Sequence, residues 1–217
     1  MNLHLGDCLE VLKTLENNSI HAVVTDPPYG LKFMNKAWDY DVPKVEIWKE
    51  VFRVLKPGGH LLSFGGTRTY HRMVVNIEDA GFEIRDQIQW LYGSGFPKSL
   101  DVSKAIDKAA NAERKVIGVN ANHRKTIDGQ IHSTQTMCGE PHSGNGSITE
   151  PATEEAKQWE GWGTALKPAN EPIVMARKPI EKGLTVAENV IKWGTGVINI
   201  NESRIGSKKG RWPANLL

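Results

Sequence analysis

Cysteine is scarce in this 217-residue sequence: Cys8 and Cys138 are the two present, and they lie far apart. Such a pair suggests neither a disulfide framework nor a thiolate zinc site. No apolar run approaches the ~20 residues that a membrane span needs. The opening Met1-Asn2-Leu3-His4-Leu5-Gly6-Asp7 lacks a basic stretch followed by an apolar one, so no secretory signal is visible. A cytoplasmic protein is expected. No G-x-G-x-x-G follows any expected strand, which disfavours a dinucleotide oxidoreductase. Net charge is nearly absent too, at +2, so overall charge does not argue for nucleic acid. What is present is an ordinary globular composition, 24% charged and 39% hydrophobic, in a chain long enough for one large or two small domains.

The distribution of charge says more than its sum. Residues 98–125 carry seven basic side chains (Lys98, Lys104, Lys108, Arg114, Lys115, Arg124, Lys125) against three acids, and the tail from Asn201 carries four against Glu202 alone. A basic stripe on a neutral body fits a polyanion partner. A solvated surface would explain it as well.

The most informative stretch is Val23-Val24-Thr25-Asp26-Pro27-Pro28-Tyr29-Gly30. A β-branched run predicts a buried strand. The prolines end it, since they give no ladder N–H and fix φ near −65°. The result is a stiff loop presenting Asp26 and Tyr29 at the strand's carboxyl end, where ligands bind in open α/β sheets. The bland alternative is a Pro-Pro turn with a surface Asp.

Around this stretch the pattern alternates between strands and helices. Leu3-His4-Leu5 reads as a short strand, with Asp7 as the cap of a following helix and Glu10 as the second half of a capping box. Ile20–Thr25 is the next strand, parallel to the first. Pro43 opens a helix carrying Trp48, Val51, Phe52 and Leu55, which Lys56-Pro57-Gly58-Gly59 stops. His60–Phe64 is a buried strand, and Gly65-Gly66-Thr67 turns into a helix with Tyr70, Met73, Val74 and Ile77 on its face. From Phe82 the period becomes two: Phe82, Ile84, Ile88, Trp90 and Tyr92 share one side of a long strand, antiparallel at a sheet edge. Residues 100–115 are expected to form a basic helix and Asn120 to Pro151 a loop, whose His123, His132 and His142 read as solvated rather than metal-binding. Pro172–Ala176 is a strand, Thr185 with Glu188 caps a helix through Ile191, and Val197–Ile200 is expected as a last strand.

A carboxylate and a rigid backbone carbonyl can together do specific chemistry. The exocyclic amine of a nucleobase is a poor nucleophile, because its lone pair is delocalised into the ring. Asp26 and the carbonyl of Pro27 could accept both its N–H bonds, favouring a tetrahedral nitrogen whose lone pair points at a methyl donor. Proline rigidity supplies the preorganisation such electrostatic help requires. Tyr29 offers a flat face to a base, which must leave a duplex stack to be reached.

Asp26-Pro27-Pro28-Tyr29 resembles the catalytic motif of the S-adenosylmethionine-dependent DNA amino-methyltransferases, which methylate adenine N6 or cytosine N4. Gly6-Asp7-Cys8-Leu9-Glu10, Trp38-Asp39 and Leu55-Lys56-Pro57-Gly58-Gly59 look like the phage and bacterial members of that family, as do Gly93-Ser94-Gly95-Phe96-Pro97-Lys98-Ser99 and Gly163-Thr164-Ala165-Leu166-Lys167-Pro168. The likeness covers nearly all of the chain except 116–150. It implies an α/β, Rossmann-like sheet, mostly parallel with an antiparallel edge, formed by residues 1–97 and 164–217. A variable insertion over 98–163 takes the place of the target-recognition region. It further implies a methyl transfer from S-adenosylmethionine to double-stranded DNA, as in restriction-modification, with Asp in the motif's first position leaning toward adenine N6.

Carried over by position, Asp26, Pro27, Pro28 and Tyr29 hold the base and its amino group. Asp26 and Asp7 meet the cofactor, although the helix cap is an equal use for Asp7. Trp38 lines the base pocket, and Lys104, Lys108, Arg114 and Lys115 contact phosphates. The family's cofactor strand ending in Phe-x-Gly-x-Gly has no counterpart here, and Phe64-Gly65-Gly66 has the wrong spacing. In the permuted order of this group that strand comes late, so the sheet is expected to be incomplete at the C-terminus, with a homodimer or another partner supplying the missing strands. Two other functions stay open: a DNA-binding fragment or subunit without activity of its own, and amino methylation of RNA or protein.

Overall fold

A computed structural model of the chain describes residues 3–31, 39–93, 99–119, 147–206 and 210–216. Trp38, Lys98, Cys138 and the three loop histidines lie outside the described residues. Packing divides the chain into two units, Met1–Tyr92 with Asn170–Leu217, and Gly93–Ala169. The first unit runs through α1 (Cys8–Lys13), β1 (Ile20–Thr25), α2 (Val45–Val54), β2 (Leu55–Phe64), α3 (Tyr70–Asp79) and β3 (Glu83–Leu91). The second contains α4 (Val102–Ala109), β4 (Val116–Val119), β5 (Ser147–Thr149) and α5 (Glu154–Gln158), after which β6 (Asn170–Arg177) and α6 (Val186–Trp193) return to the first.

The sheet of the first unit has the order β1-β2-β6-β3. β1 is parallel to β2, while β6 is antiparallel to both β2 and β3. Thus β1, β2 and β3 point the same way, with helices between them in sequence, which is the Rossmann-like part of this α/β fold. The antiparallel edge is the β3–β6 pair, and the reversed strand itself, β6, lies one place in from that edge.

Paired residues share a face, so the register sorts the side chains. One face carries Val23, Leu61, Val174, Ala176 and Ile84, and it packs on Trp48, Val51, Met73 and Ile77 from α2 and α3 to form the core. The opposite face carries Val24, Leu62, Phe64, Ile173 and Met175. A bulge at Arg85 reverses the alternation of β3. Phe82 and Ile84 therefore face the helices, whereas Ile88 and Trp90 fall on the other side, correcting the expectation of one continuous stripe. Asp86 sits with this second group, opposite Met175, because of the same bulge.

Other elements also differ from the sequence expectation. Leu3–Leu5 forms no strand among the described residues; both leucines are exposed, and β1 pairs only with β2. A three-residue segment without a ladder partner cannot satisfy its backbone as a strand. Asp7 does cap α1, accepting from the N–H groups of Leu9 (2.9 Å) and Glu10 (3.4 Å), but Glu10 turns to Lys13 at 2.7 Å instead of closing the box. Pro43 stands before the helix rather than within it; its carbonyl accepts from Trp48 Nε1 (3.2 Å) and Asn76 Nδ2 (2.9 Å). The Lys56–Gly59 stop is the start of β2, bulged against β1, so that strand begins five residues early. The Thr185–Glu188 capping box forms as expected. Val197–Ile200 is no strand: the Ile200 N–H bonds back to the Ile198 carbonyl (2.9 Å) and Ser203 N–H to Asn199 and Ile200, a local turn in place of a ladder.

In the second unit β4 and β5 pair as an antiparallel ribbon, so the expected 120–151 loop gives way to a strand at Ser147. The basic helix is confined to α4, capped by Asp101 on the Lys104 N–H at 3.1 Å. Its buried side is polar. Asp107, 1% exposed, accepts from Arg114 (2.6 Å), the N–H groups of Ala152 and Thr153 (3.0 Å each) and the Thr153 hydroxyl (2.8 Å). Arg114 also donates to Ser103 and Thr149, both at 3.0 Å. Among the described residues no helix is long and apolar enough to cross a membrane.

Candidate functional site

β1 ends at Thr25, and the next five residues are held by contacts from three directions. Gly30 N–H donates to the buried Asp39 carboxylate at 2.9 Å. Gly30 has φ +67°, and a Cβ there would stand 2.9 Å from the Val42 nitrogen, so only glycine fits the turn. Thr69 leads into α3 but does not use its hydroxyl as a cap; it donates to the Tyr29 carbonyl at 2.5 Å. The Tyr29 ring lies on Gly66, where a Cβ would be 3.3 Å from Tyr29 Cβ and Cδ2. Fixed in this way, Pro27, Pro28 and Tyr29 are half-buried while Asp26 is exposed.

The Tyr29 hydroxyl has the Asp26 carboxylate as a neighbour. Burial first, then Asp26 and the charge of Glu171, push its phenol far above the ordinary range, so it keeps its proton and remains a donor. Tyr92, just past β3, is raised by burial and again by Glu171. The same sheet edge carries Phe64 and Trp90, with ring centroids 6.4 Å apart and Trp90 half exposed. The carboxyl end of the sheet thus offers two carboxylates, two protonated phenols and an aromatic wall. Such a set can accept N–H bonds from an amine and stack a flat ring beside them.

Asp7 stands at the other end of the β1–α1 segment. One of its oxygens is taken by the cap of α1, and an open cleft of about 470 Å³ lined by Leu3, Gly6 and Val11 lies beside it. In the second unit the four basic positions separate into two kinds. Arg114 is drawn inward by Asp107, Ser103 and Thr149. Lys104, Lys108 and Lys115 are exposed. Lys104 and Lys115 keep loose pairs, with Asp101 at 3.3 Å and Glu150 at 3.4 Å. Trp159 and Trp162 meet edge to face at 5.1 Å in the same unit.

Sequence reasoning found Asp26–Tyr29 but missed what holds and surrounds them. Nothing in the sequence pattern singled out Thr69, and Asp39 stood only in the Trp38-Asp39 block. Glu171 precedes the expected strand 172–176 by one residue. An acid at the very start of a strand that runs antiparallel to its neighbours is placed at their carboxyl ends, and that was the available signal.

The family model for DNA methylases matches residues 20–215. The chain is 27% identical to the type II methyltransferase M.HindIII of Haemophilus influenzae, over 92% of this chain and 65% of that protein. It is 32% identical to M.HpaI of Haemophilus parainfluenzae, over 47% of this chain and 35% of that one. The chain therefore spans less than two thirds of the length of these relatives. Among solved structures it is similar to the PvuII DNA methyltransferase, described as cytosine-N4-specific, at 15% identity and TM-score 0.45 over 99% of this chain and 55% of that one. It is also similar to the M1.HpyAVI–SAM complex, at 16% identity and TM-score 0.39 over 82% of this chain and 54% of that one.

Proposed function

Because the chain belongs to the DNA methylase family, we propose that it carries the amino-group pocket of a DNA N-methyltransferase, built from Asp26, Pro27, Pro28 and Tyr29. The observation behind this reading is the exposed Asp26 carboxylate at the end of β1, in a loop pinned by Asp39, Thr69 and Gly66. The carboxylate and the Pro27 carbonyl accept the two N–H bonds of an exocyclic amine and orient its lone pair. Tyr29 supports the base face. Pinning before the substrate arrives is what gives fixed acceptors their value, since no reorganisation remains to be done.

The methyl donor in this reading is S-adenosylmethionine, which supplies an electrophilic sulfonium methyl when bound. The donor set suits such a cation: Asp26 is exposed, and Asp7 lines the open cleft next to α1 with one oxygen not used by the helix cap, able to accept from an adenine amino group. Among the described residues β1 pairs only with β2, which favours completion of this side by further strands, from a second copy or another partner. The substrate is double-stranded DNA in a cytoplasmic setting, with adenine N6 preferred to cytosine N4 on the strength of Asp in the motif's first position. Lys104, Lys108 and Lys115, in the region assigned to target recognition, contact phosphates. Trp38 is assigned to the base pocket. Arg114 holds that region together instead of reaching for DNA.

The reading is tested by transfer of labelled methyl from S-adenosylmethionine to duplex DNA. With the sheet completed as proposed, transfer is expected and falls about 100- to 1,000-fold in Asp26→Ala; undiminished transfer in that variant contradicts the assigned role.

A further inference from the structure

The second carboxylate at the carboxyl edge stands apart from the Asp26–Tyr29 loop. Glu171 opens β6 opposite Trp90 of β3, on the same face of the sheet as Phe64 and Ile173. Its neighbour Pro172 accepts the Gly65 N–H at 3.0 Å, which fixes the start of β6 against the Gly65–Gly66 turn beneath the Tyr29 ring. Tyr92 follows β3 two residues after Trp90 and so returns to the face of Glu171, at the diagonal position reached by long side chains. Val24 shares this face too, and alternation carries it on to Asp26. These strand ends supply Asp26, Tyr92 and Glu171 as the polar neighbours of Tyr29. Among the described residues the Glu171 side chain makes no hydrogen bond or ion pair, although it is half-buried.

We propose that Glu171 is a positioning residue of the amino-group pocket: its carboxylate gives the Tyr29 hydroxyl an acceptor other than Asp26, and so frees Asp26 for the incoming amine. This rests on the reading of Asp26–Tyr29 as that pocket. Whenever Asp26 accepts the phenol O–H, it is a weaker acceptor for the amine. Both phenols near Glu171 stay protonated, so the exchange moves a hydrogen bond between two carboxylates and transfers no proton.

The test uses the full chain and four probes at millimolar concentration, followed by NMR: 2′-deoxyadenosine, 2′-deoxycytidine and the analogue of each that lacks the exocyclic amine. The wild type is expected to bind at least one amino nucleoside more tightly than its analogue. Glu171→Leu is expected to weaken that binding roughly tenfold while leaving the analogue unchanged. Glu171→Gln keeps an acceptor oxygen and is expected to restore most of it. In a Tyr29→Phe background, where no hydroxyl has to move, Glu171→Leu is expected to have no effect. If the amine preference is absent, or survives Asp26→Ala, the pocket reading fails and this inference with it. If the preference depends on Asp26 but Glu171→Leu is silent, or acts equally in Tyr29→Phe, the inference alone is overturned.

Discussion

Asp26 and Asp107 are the same residue type in opposite circumstances. Asp107 in the second unit is buried and saturated, with Arg114, two backbone N–H groups and the Thr153 hydroxyl all directed at it. Asp26 in the first unit is exposed, with Tyr29 beside it, although the backbone around it is tied down by Asp39 and Thr69. A saturated carboxylate holds a fold together; a carboxylate left open on a fixed backbone can receive a ligand. The contrast extends to the cations, since Arg114 is spent inside its unit while Lys104, Lys108 and Lys115 remain at the surface.

The sharpest way to break this comparison is to remove each carboxylate. Asp26→Ala is expected to lower methyl transfer about 100- to 1,000-fold while leaving the melting temperature unchanged. Asp107→Ala is expected to do the reverse to its own unit, with amide exchange at Ala152 and Thr153 accelerating roughly tenfold or more. Equal effects of both changes on stability would erase the distinction. Next in size is Gly30→Ala. A methyl at φ +67° and 2.9 Å from the Val42 nitrogen is expected to cost about 2 kcal/mol, read by chemical denaturation, and to lower methyl transfer by moving the loop.

Acid distinguishes the two units further. Burial pushes the Asp107 carboxyl up, but the donors from Ala152, Thr153 and Arg114 outweigh it and leave it below the ordinary carboxylate value. A carboxyl depressed in the folded state contributes stability above its unfolded value and loses it as pH falls through the folded one. The near-ultraviolet circular dichroism of the Trp159–Trp162 pair is therefore expected to collapse on acidification below about pH 4, and Asp107→Asn to flatten that transition. The smallest effects belong to the lysines. Alanine at Lys104, Lys108 or Lys115 is expected to weaken DNA binding a few-fold irrespective of sequence, each lowering the salt dependence by about one ion. A loss of sequence preference instead would place that lysine on a base.

Much of the first unit could be read from the sequence because its signals are local. Ile20–Thr25 is β-branched with two prolines after Asp26, and β1 has those bounds, although the expected buried strand is an outer one with no buried residue. Thr185 and Glu188 make the capping box their spacing predicts. The failures came where pairing decides. Leu3–Leu5 and Val197–Ile200 have strand composition but no ladder among the described residues, and the bulge at Arg85 depends on the register with β6. The site followed the same rule. The motif could be read because strand, prolines and tyrosine are contiguous, whereas Glu171 and Tyr92 reach it through the β3–β6 register. The basic side of α4 was visible in composition, but nothing local distinguished Arg114 from its lysine neighbours, since its partners lie up to 35 residues away.

The central claim is that Asp26 and its loop act on an exocyclic amine. The most direct measurement is mass spectrometry of nucleosides from duplex DNA treated with the protein and S-adenosylmethionine. The account predicts N6-methyladenine or N4-methylcytosine, dependent on Asp26. Methyl on a ring carbon, or a product mixture unchanged by Asp26→Ala, would contradict it.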